Sequence, residues 1–174
     1  MADPFQDIVD QIRATKGAPD PIAAALDVLQ RAISAPDALR AATEGVEEDE
    51  TSLFEDEHFS IWRCRFQPHV LMPPHEHRLP VLIAAYDGAE SSILYERSEG
   101  GLKEIGNVTA KSGEVILLPE DAIHAVTAEG DRPSDAIHVY FGPLMSLKRD
   151  LFDWDTGEPV DFTMEAFESM TRPV

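Results

Sequence analysis

Apolar positions along the chain recur first at helical spacing and then at strand spacing. Phe5, Ile8, Val9 and Ile12 fall on one face of a 3.6-residue repeat. Ile22, Leu26, Leu29 and Ile33 do the same, directly after Asp20-Pro21, an N-cap and first-turn pair. Roughly the first 45 residues are therefore expected to be helical. An acidic run from Glu44 to Glu50 follows and reads as a solvated linker. From His58 onward the texture changes to short runs rich in β-branched and aromatic residues, broken by Pro and Gly. Strands are expected over 58–66, 69–73, 79–86, 91–97, 103–109, 114–118, 123–128 and 135–142. The breaks carry turn chemistry: Asp87-Gly88, Glu99-Gly100-Gly101, Ser112-Gly113, Pro119-Glu120-Asp121 and Gly130-Asp131-Arg132-Pro133. About eight strands at this spacing suit a barrel or jelly roll. A short helix is expected over 161–170, with Phe162, Ala166 and Phe167 packing back on the barrel.

Composition narrows the class of partner. A chain of 174 residues, 43% of them apolar, suits one core: a helical extension over 1–50 packed on a β-domain over 51–174. Fourteen basic residues against 33 acidic ones give a formal charge of −19, which repels phosphate backbones and anionic lipid, so neither nucleic acid nor a membrane surface is an expected partner. Cys64 is the one cysteine, which excludes an intramolecular disulfide and a thiolate cluster. With no signal-peptide pattern at Met1-Ala2-Asp3-Pro4, a reducing cytoplasm is the expected compartment. The sequence is equally compatible with a monomer and a homodimer.

Histidine placement supplies the candidate chemistry. His75-Glu76-His77 follows Pro73-Pro74, and residues i and i+2 of a strand share a face, so His75 and His77 present two imidazoles together while Glu76 points away. Neutral imidazole is a good ligand for iron, nickel, copper and zinc, and a third histidine from a neighbouring strand leaves coordination positions open. His124 is the natural third. Cys64 shares parity with Trp62 and Phe66 and is expected to be buried as a small apolar residue. His58 and His69 carry no assignment, and Arg78, opposite in direction to His77, is expected at the surface.

Two motifs carry a family resemblance. Gly113-Glu-Val-Ile-Leu-Leu-Pro119 with His124 five residues later resembles the second cupin motif; Pro73-Pro74-His75-Glu76-His77, with Gly88 eleven residues on, resembles the first. The resemblance implies a mainly β fold, the cupin double-stranded β-helix or jelly-roll barrel, with N-terminal helices and a short C-terminal helix added. Most cupins place a glutamate ligand four residues after the second histidine, where this chain has Val81. A site of three histidines and no carboxylate leaves the full charge of a divalent ion uncompensated, which favours an anionic donor such as a thiolate. The chain is thus similar to the cysteine dioxygenase-like branch, in which ferrous iron, Fe(II), held by three histidines adds O2 to a thiol.

Within that resemblance Ile137-His138-Val139-Tyr140 resembles the branch's Ser-x-His-x-Tyr strand, implying catalytic roles for Tyr140 and, behind it, His138. The serine position is Ala136, and Ser134 lies two residues too early. The branch also implies an arginine for a substrate carboxylate, and Arg63 and Arg65 are the candidates if their strand lines the cavity. The expected partners are a small thiol and O2, the expected product a sulfinate, and nickel or zinc are metals a recombinant protein could carry in place of iron. Two other readings fit the same residues: a metal-containing cupin that binds a small molecule without turnover, and a metal-dependent isomerase or dioxygenase acting on a non-thiol substrate.

Overall fold

The helices start where proline and an acidic cap coincide. In the computed structural model, which describes residues 3–174, α1 (Pro4–Ala14) is capped by Asp3, whose carboxylate accepts the Phe5 N–H at 3.0 Å. Helix α2 (Pro21–Ile33) is capped by Asp20, which accepts from the Ala23 N–H at 3.0 Å. A third helix, α3 (Asp37–Thr43), closes the section. No helix is long and apolar enough among the described residues to cross a membrane.

Strands then follow as β1 (Glu50–Glu55), β2 (Ser60–Phe66), β3 (Val70–Leu71), β4 (His75–Glu76), β5 (Val81–Asp87), β6 (Ala89–Ser98) and β7 (Gly101–Lys111). After these come β8 (Val115–Leu118), β9 (Ile123–Ala128), β10 (Ser134–Tyr140), β11 (Asp150–Phe152), β12 (Pro159–Asp161), helix α4 (Met164–Ser169) and β13 (Arg172–Pro173). They pair as β1-β2-β10-β5-β8 in one sheet and β12-β11-β4-β9-β6-β7 in the other, with β13 and β3 as a separate pair. Without the edge strands β1, β11 and β12, two sheets of order β2-β10-β5-β8 and β4-β9-β6-β7 remain, the connectivity of a jelly roll or double-stranded β-helix. The fold is mainly β, with the expected helices at both ends.

Several boundaries differ from the sequence reading, each for a local reason. β1 lies in the stretch between the acidic run and the first expected strand. Its Glu-Thr-Ser-Leu-Phe-Glu sequence shows no alternation because the register with β2 shifts between Ser52 and Phe54, putting Leu53 and Phe54 side by side. β11 and β12, of three residues each, are too short to carry a period. α4 starts at Met164 rather than 161 because Thr163 is its cap, its hydroxyl accepting the Ala166 N–H at 3.0 Å.

The five-stranded sheet is buried on both faces, which explains the unbroken apolar run Val81 to Tyr86. Ile61, Leu82, Ala84, Tyr86, Ile137 and Val139 pack against Ile12, Leu29 and Ile33 of the helices. Val81, Ile83, Ala85, Ala136 and Tyr140 face the barrel interior instead. Each fully buried aliphatic side chain contributes about 1.5–3 kcal/mol, so the helices are part of the core rather than an ornament on it. The side-chain parity set by this packing sends Trp62, Cys64, Phe66, His138 and Tyr140 inward toward the histidines.

Candidate metal centre and its cavity

Antiparallel pairing brings the histidines together. His75 stands directly opposite His124 in the β4–β9 register, and β4 ends at Glu76, so His77 is the first residue beyond it. His75, His77 and His124 are all buried, and one ligand atom of each lies within 4.8 Å of the others. The Nε2 atoms of His77 and His124 are 3.4 Å apart, a separation that two imidazoles bound at about 2.1 Å to one ion adopt. His75 Nδ1 is 2.9 Å from the Pro73 carbonyl oxygen and His124 Nδ1 is 2.9 Å from Ser92 Oγ. The carbonyl can only accept, so His75 carries its proton on Nδ1; the same tautomer at His124 leaves both Nε2 lone pairs for a cation.

Electrostatics agree with a ligand role. Burial lowers all three imidazoles: His75 to about 3 with the Pro73 carbonyl opposing, and His77 and His124 well below the usual histidine value, these two reinforced by the neighbouring histidines. They are uncharged at neutral pH, the form that binds a metal. Among the described residues no carboxylate joins the group, and Val81, where a fourth ligand would be expected by resemblance, is fully buried among apolar residues. Glu76 points away, as its parity requires: Arg78 Nε donates to its Oε1 at 2.6 Å and Arg97 Nη2 to its Oε2 at 3.3 Å. The donor set and its geometry fit a divalent metal.

Behind the histidines stands a buried hydrogen-bonded line. His138 Nε2 is 2.9 Å from Glu90 Oε2, and its Nδ1 is 3.1 Å from the Tyr140 hydroxyl. The Tyr140 ring lies edge-on to His77 with centroids 4.9 Å apart. Burial opposes protonation of His138, but the neighbouring Cys64 sulfur, the Glu90 carboxylate and the Tyr140 oxygen outweigh it and hold its pKa well above the ordinary value. Burial pushes Tyr140 up to about 12, with His138 opposing, so it is a neutral phenol. An imidazolium donates from both nitrogens, so His138 donates to the Tyr140 oxygen and the phenolic hydrogen is left free for the cavity. Glu90 on β6 thus takes the anchoring place that a serine two residues before His138 would fill, which at Ala136 is vacant.

The arginine expectations are corrected by the structure. Arg63 and Arg65 lie on the β2 face turned away from the histidines. Arg63 Nη1 is 3.7 Å and Arg65 Nε 3.0 Å from Asp135, and Arg63 also donates to the Glu48 carbonyl and to Thr51 Oγ1. Strand parity decides this, since Trp62 and Cys64 take the inward positions. Arg149, which the sequence reading passed over, lines the cavity instead. Its neighbours Lys148 and Asp150 are held outside by Arg78, through the Lys148 carbonyl at 3.2 Å and Asp150 Oδ2 at 3.0 Å. Arg149 therefore turns inward; its guanidinium carbon sits 3.3 Å from the Phe162 ring centroid, and burial lowers its pKa. It has no ion-pair partner within 4.0 Å among the described residues.

These groups surround a cavity of about 200 Å³ that also receives Trp62, Cys64, Leu144, Phe162 and Phe167, a size for a small substrate. Burial raises the Cys64 thiol, so it lines the wall as an uncharged group, in keeping with its expected role.

No family model matches the chain, and no curated protein matches it in sequence. Solved structures of similar fold include an RmlC-like cupin with a double-stranded β-helix fold from Methanocaldococcus jannaschii, 15% identical with a TM-score of 0.46 over 57% of this chain and 85% of that one. A protein from Bacillus halodurans is 17% identical, with a TM-score of 0.48 over 60% of this chain and 78% of that one. Hydroquinone 1,2-dioxygenase from Sphingomonas sp. TTNP3 is 14% identical, with a TM-score of 0.46 over 62% of this chain and 73% of that one. At such identities the chemistry has to be argued from the side chains present.

Proposed function

We propose that this chain is a non-haem iron(II) thiol dioxygenase-like enzyme that adds both atoms of O2 to a small thiol and releases a sulfinate. The observation that carries the reading is a three-imidazole, carboxylate-free donor set facing a cavity that also holds an unpaired arginine. Held by His75, His77 and His124, ferrous iron would supply the electron transfer that makes O2 reactive and a positive centre that favours a thiolate donor.

The chain's own residues do the remaining work. Arg149 offers a bidentate fork to a substrate carboxylate, which orients a small thiol with its sulfur toward the histidines. Stacking on Phe162 restrains that guanidinium before substrate arrives. Tyr140 holds its hydroxyl hydrogen toward the cavity because His138 occupies its oxygen, and Glu90 keeps His138 charged in that role. Leu144, Phe162 and Phe167 exclude water from the reacting sulfur.

Oxygen uptake by the iron-loaded protein with cysteine, 3-mercaptopropionate and cysteamine tests this reading. Carboxylate-bearing thiols are expected to be consumed with matching oxygen uptake; no uptake with any of the three overturns it.

A further inference from the structure

Glu76, the residue between His75 and His77, is tied on the outside of the barrel to the chain that carries Arg149. Its buried carboxylate accepts from Arg78 Nε at 2.6 Å and from Arg97 Nη2 at 3.3 Å. Arg78 then reaches the residues on either side of Arg149: Nη1 donates to the Lys148 carbonyl at 3.2 Å and Nη2 to Asp150 Oδ2 at 3.0 Å. Arg97 lies over the Phe152 ring at 4.6 Å, so β6, the His-Glu-His segment and β11 are joined through one group of charges. Arg78 holds a left-handed backbone with φ of 57°, a conformation that a residue with a side chain keeps only where its surroundings fix it.

A planar guanidinium that meets the residues before and after a third fixes the backbone of that third residue. Successive residues of an extended chain point to opposite sides, so with Asp150 held outside, Arg149 faces the cavity. Few other contacts set that direction. β11 has three residues and meets β4 at the single pair Leu151 and His75. On the inner side, the Phe162 N–H donates to the Arg149 carbonyl at 3.1 Å and the Phe162 ring lies under the guanidinium. The foot of the brace is rigid, because Glu76 shares its backbone with His75 and His77 and cannot shift without them.

We propose that Arg78, footed on Glu76, is a positioning residue that fixes the span between the three histidines and the Arg149 guanidinium, so that the cavity selects carboxylate-bearing thiols by the number of carbons between sulfur and carboxylate. This rests on the thiol reading above. Two anchor points held at one separation discriminate a ligand of matching length from its shorter and longer homologues, whereas an anchor free to swing adapts to all of them.

Calorimetric titration under argon of the zinc-loaded protein with 2-mercaptoacetate, 3-mercaptopropionate and 4-mercaptobutyrate measures the discrimination without turnover, and cysteamine serves as the thiol without a carboxylate. The wild-type protein is expected to bind one length about tenfold more tightly than the others. Arg78→Ala should cut that preference to about threefold or less by weakening the best-bound length, and leave cysteamine binding unchanged. In an Arg149→Gln background Arg78→Ala should change nothing further, because the group it aims is gone. Asp150→Asn removes only the anchor beside Arg149, should flatten the preference in the same way, and decides the matter if Arg78→Ala does not fold. A wild-type protein that binds all three lengths alike, a preference that survives in Asp150→Asn, or an equal loss for cysteamine overturns the proposal. Those outcomes leave thiol oxidation standing if oxygen is consumed; conversely, an Arg78-dependent length preference in the zinc protein stands even if the iron protein consumes no oxygen.

Discussion

Glu90 Oε2 lies 2.9 Å from His138 Nε2, joining β6 of one sheet to β10 of the other through a fully buried ion pair. Glutamate is almost never fully buried unless paired, and here the pairing determines where Tyr140 directs its one hydroxyl hydrogen. The pair converts a tyrosine that could donate to histidine into one that can donate only inward.

Replacing that carboxylate is expected to discharge the histidine. In Glu90→Gln the His138 imidazole should be neutral at about pH 7.5, where the wild-type ring remains charged, as read from its carbon and nitrogen chemical shifts. The sign follows from a raised folded-state pKa. The stability contributed by His138 is fully present below its unfolded value of about 6.5 and is lost as pH rises through its higher folded value. Urea midpoints of the wild-type protein should therefore fall on the alkaline side more steeply than those of Glu90→Gln, with the variant less stable by about 1–3 kcal/mol near neutrality. Parallel pH profiles for the two proteins would contradict the pairing.

Removing Arg149 is expected to affect binding more than folding. Arg149→Gln should lower kcat/KM for a carboxylate-bearing thiol by about 10–100-fold, mostly through KM, and spare cysteamine, which has no carboxylate. Thermal stability should change little, since only the contact with Phe162 is lost, worth about 0.5–2 kcal/mol. Arg149→Lys should rescue poorly, because an ammonium does not present the planar fork.

Truncating Leu29 tests whether the helices and barrel form one folding unit. Leu29 is fully buried against the outer face of the five-stranded sheet, so Leu29→Ala should cost about 2–5 kcal/mol in a single unfolding transition. A separate early transition for the helical section, with the barrel midpoint unmoved, would show that the two are independent.

The clustering of His75, His77 and His124 was legible in sequence because its geometry is local: an i, i+2 pair, then a proline turn that delivers His124 to the adjacent strand. Arg63 and Arg65 were misplaced because β2 is buried on both faces, so hydrophobic parity pointed to neither side. Arg149 was passed over because it lies outside any strand, just before one of three residues, where no period can form. The one signal was its position between Lys148 and Asp150, charged neighbours bound outward by Arg78. Glu90 carries no assignment in the sequence because it falls between the Asp87-Gly88 turn and the expected strand 91–97, whereas β6 starts at Ala89. Its parity with Ser92, the residue that meets His124, was the clue to its inward direction. Long-range pairings of this kind depend on sheet order, which no local pattern encodes.

Mass spectrometry of the product formed under 18O2 by the iron-loaded protein tests thiol dioxygenation most directly. With cysteine or 3-mercaptopropionate as substrate, a sulfinate carrying two 18O atoms is predicted, formed in proportion to the oxygen consumed. Formation of disulfide alone, or of no oxidised product, would contradict it.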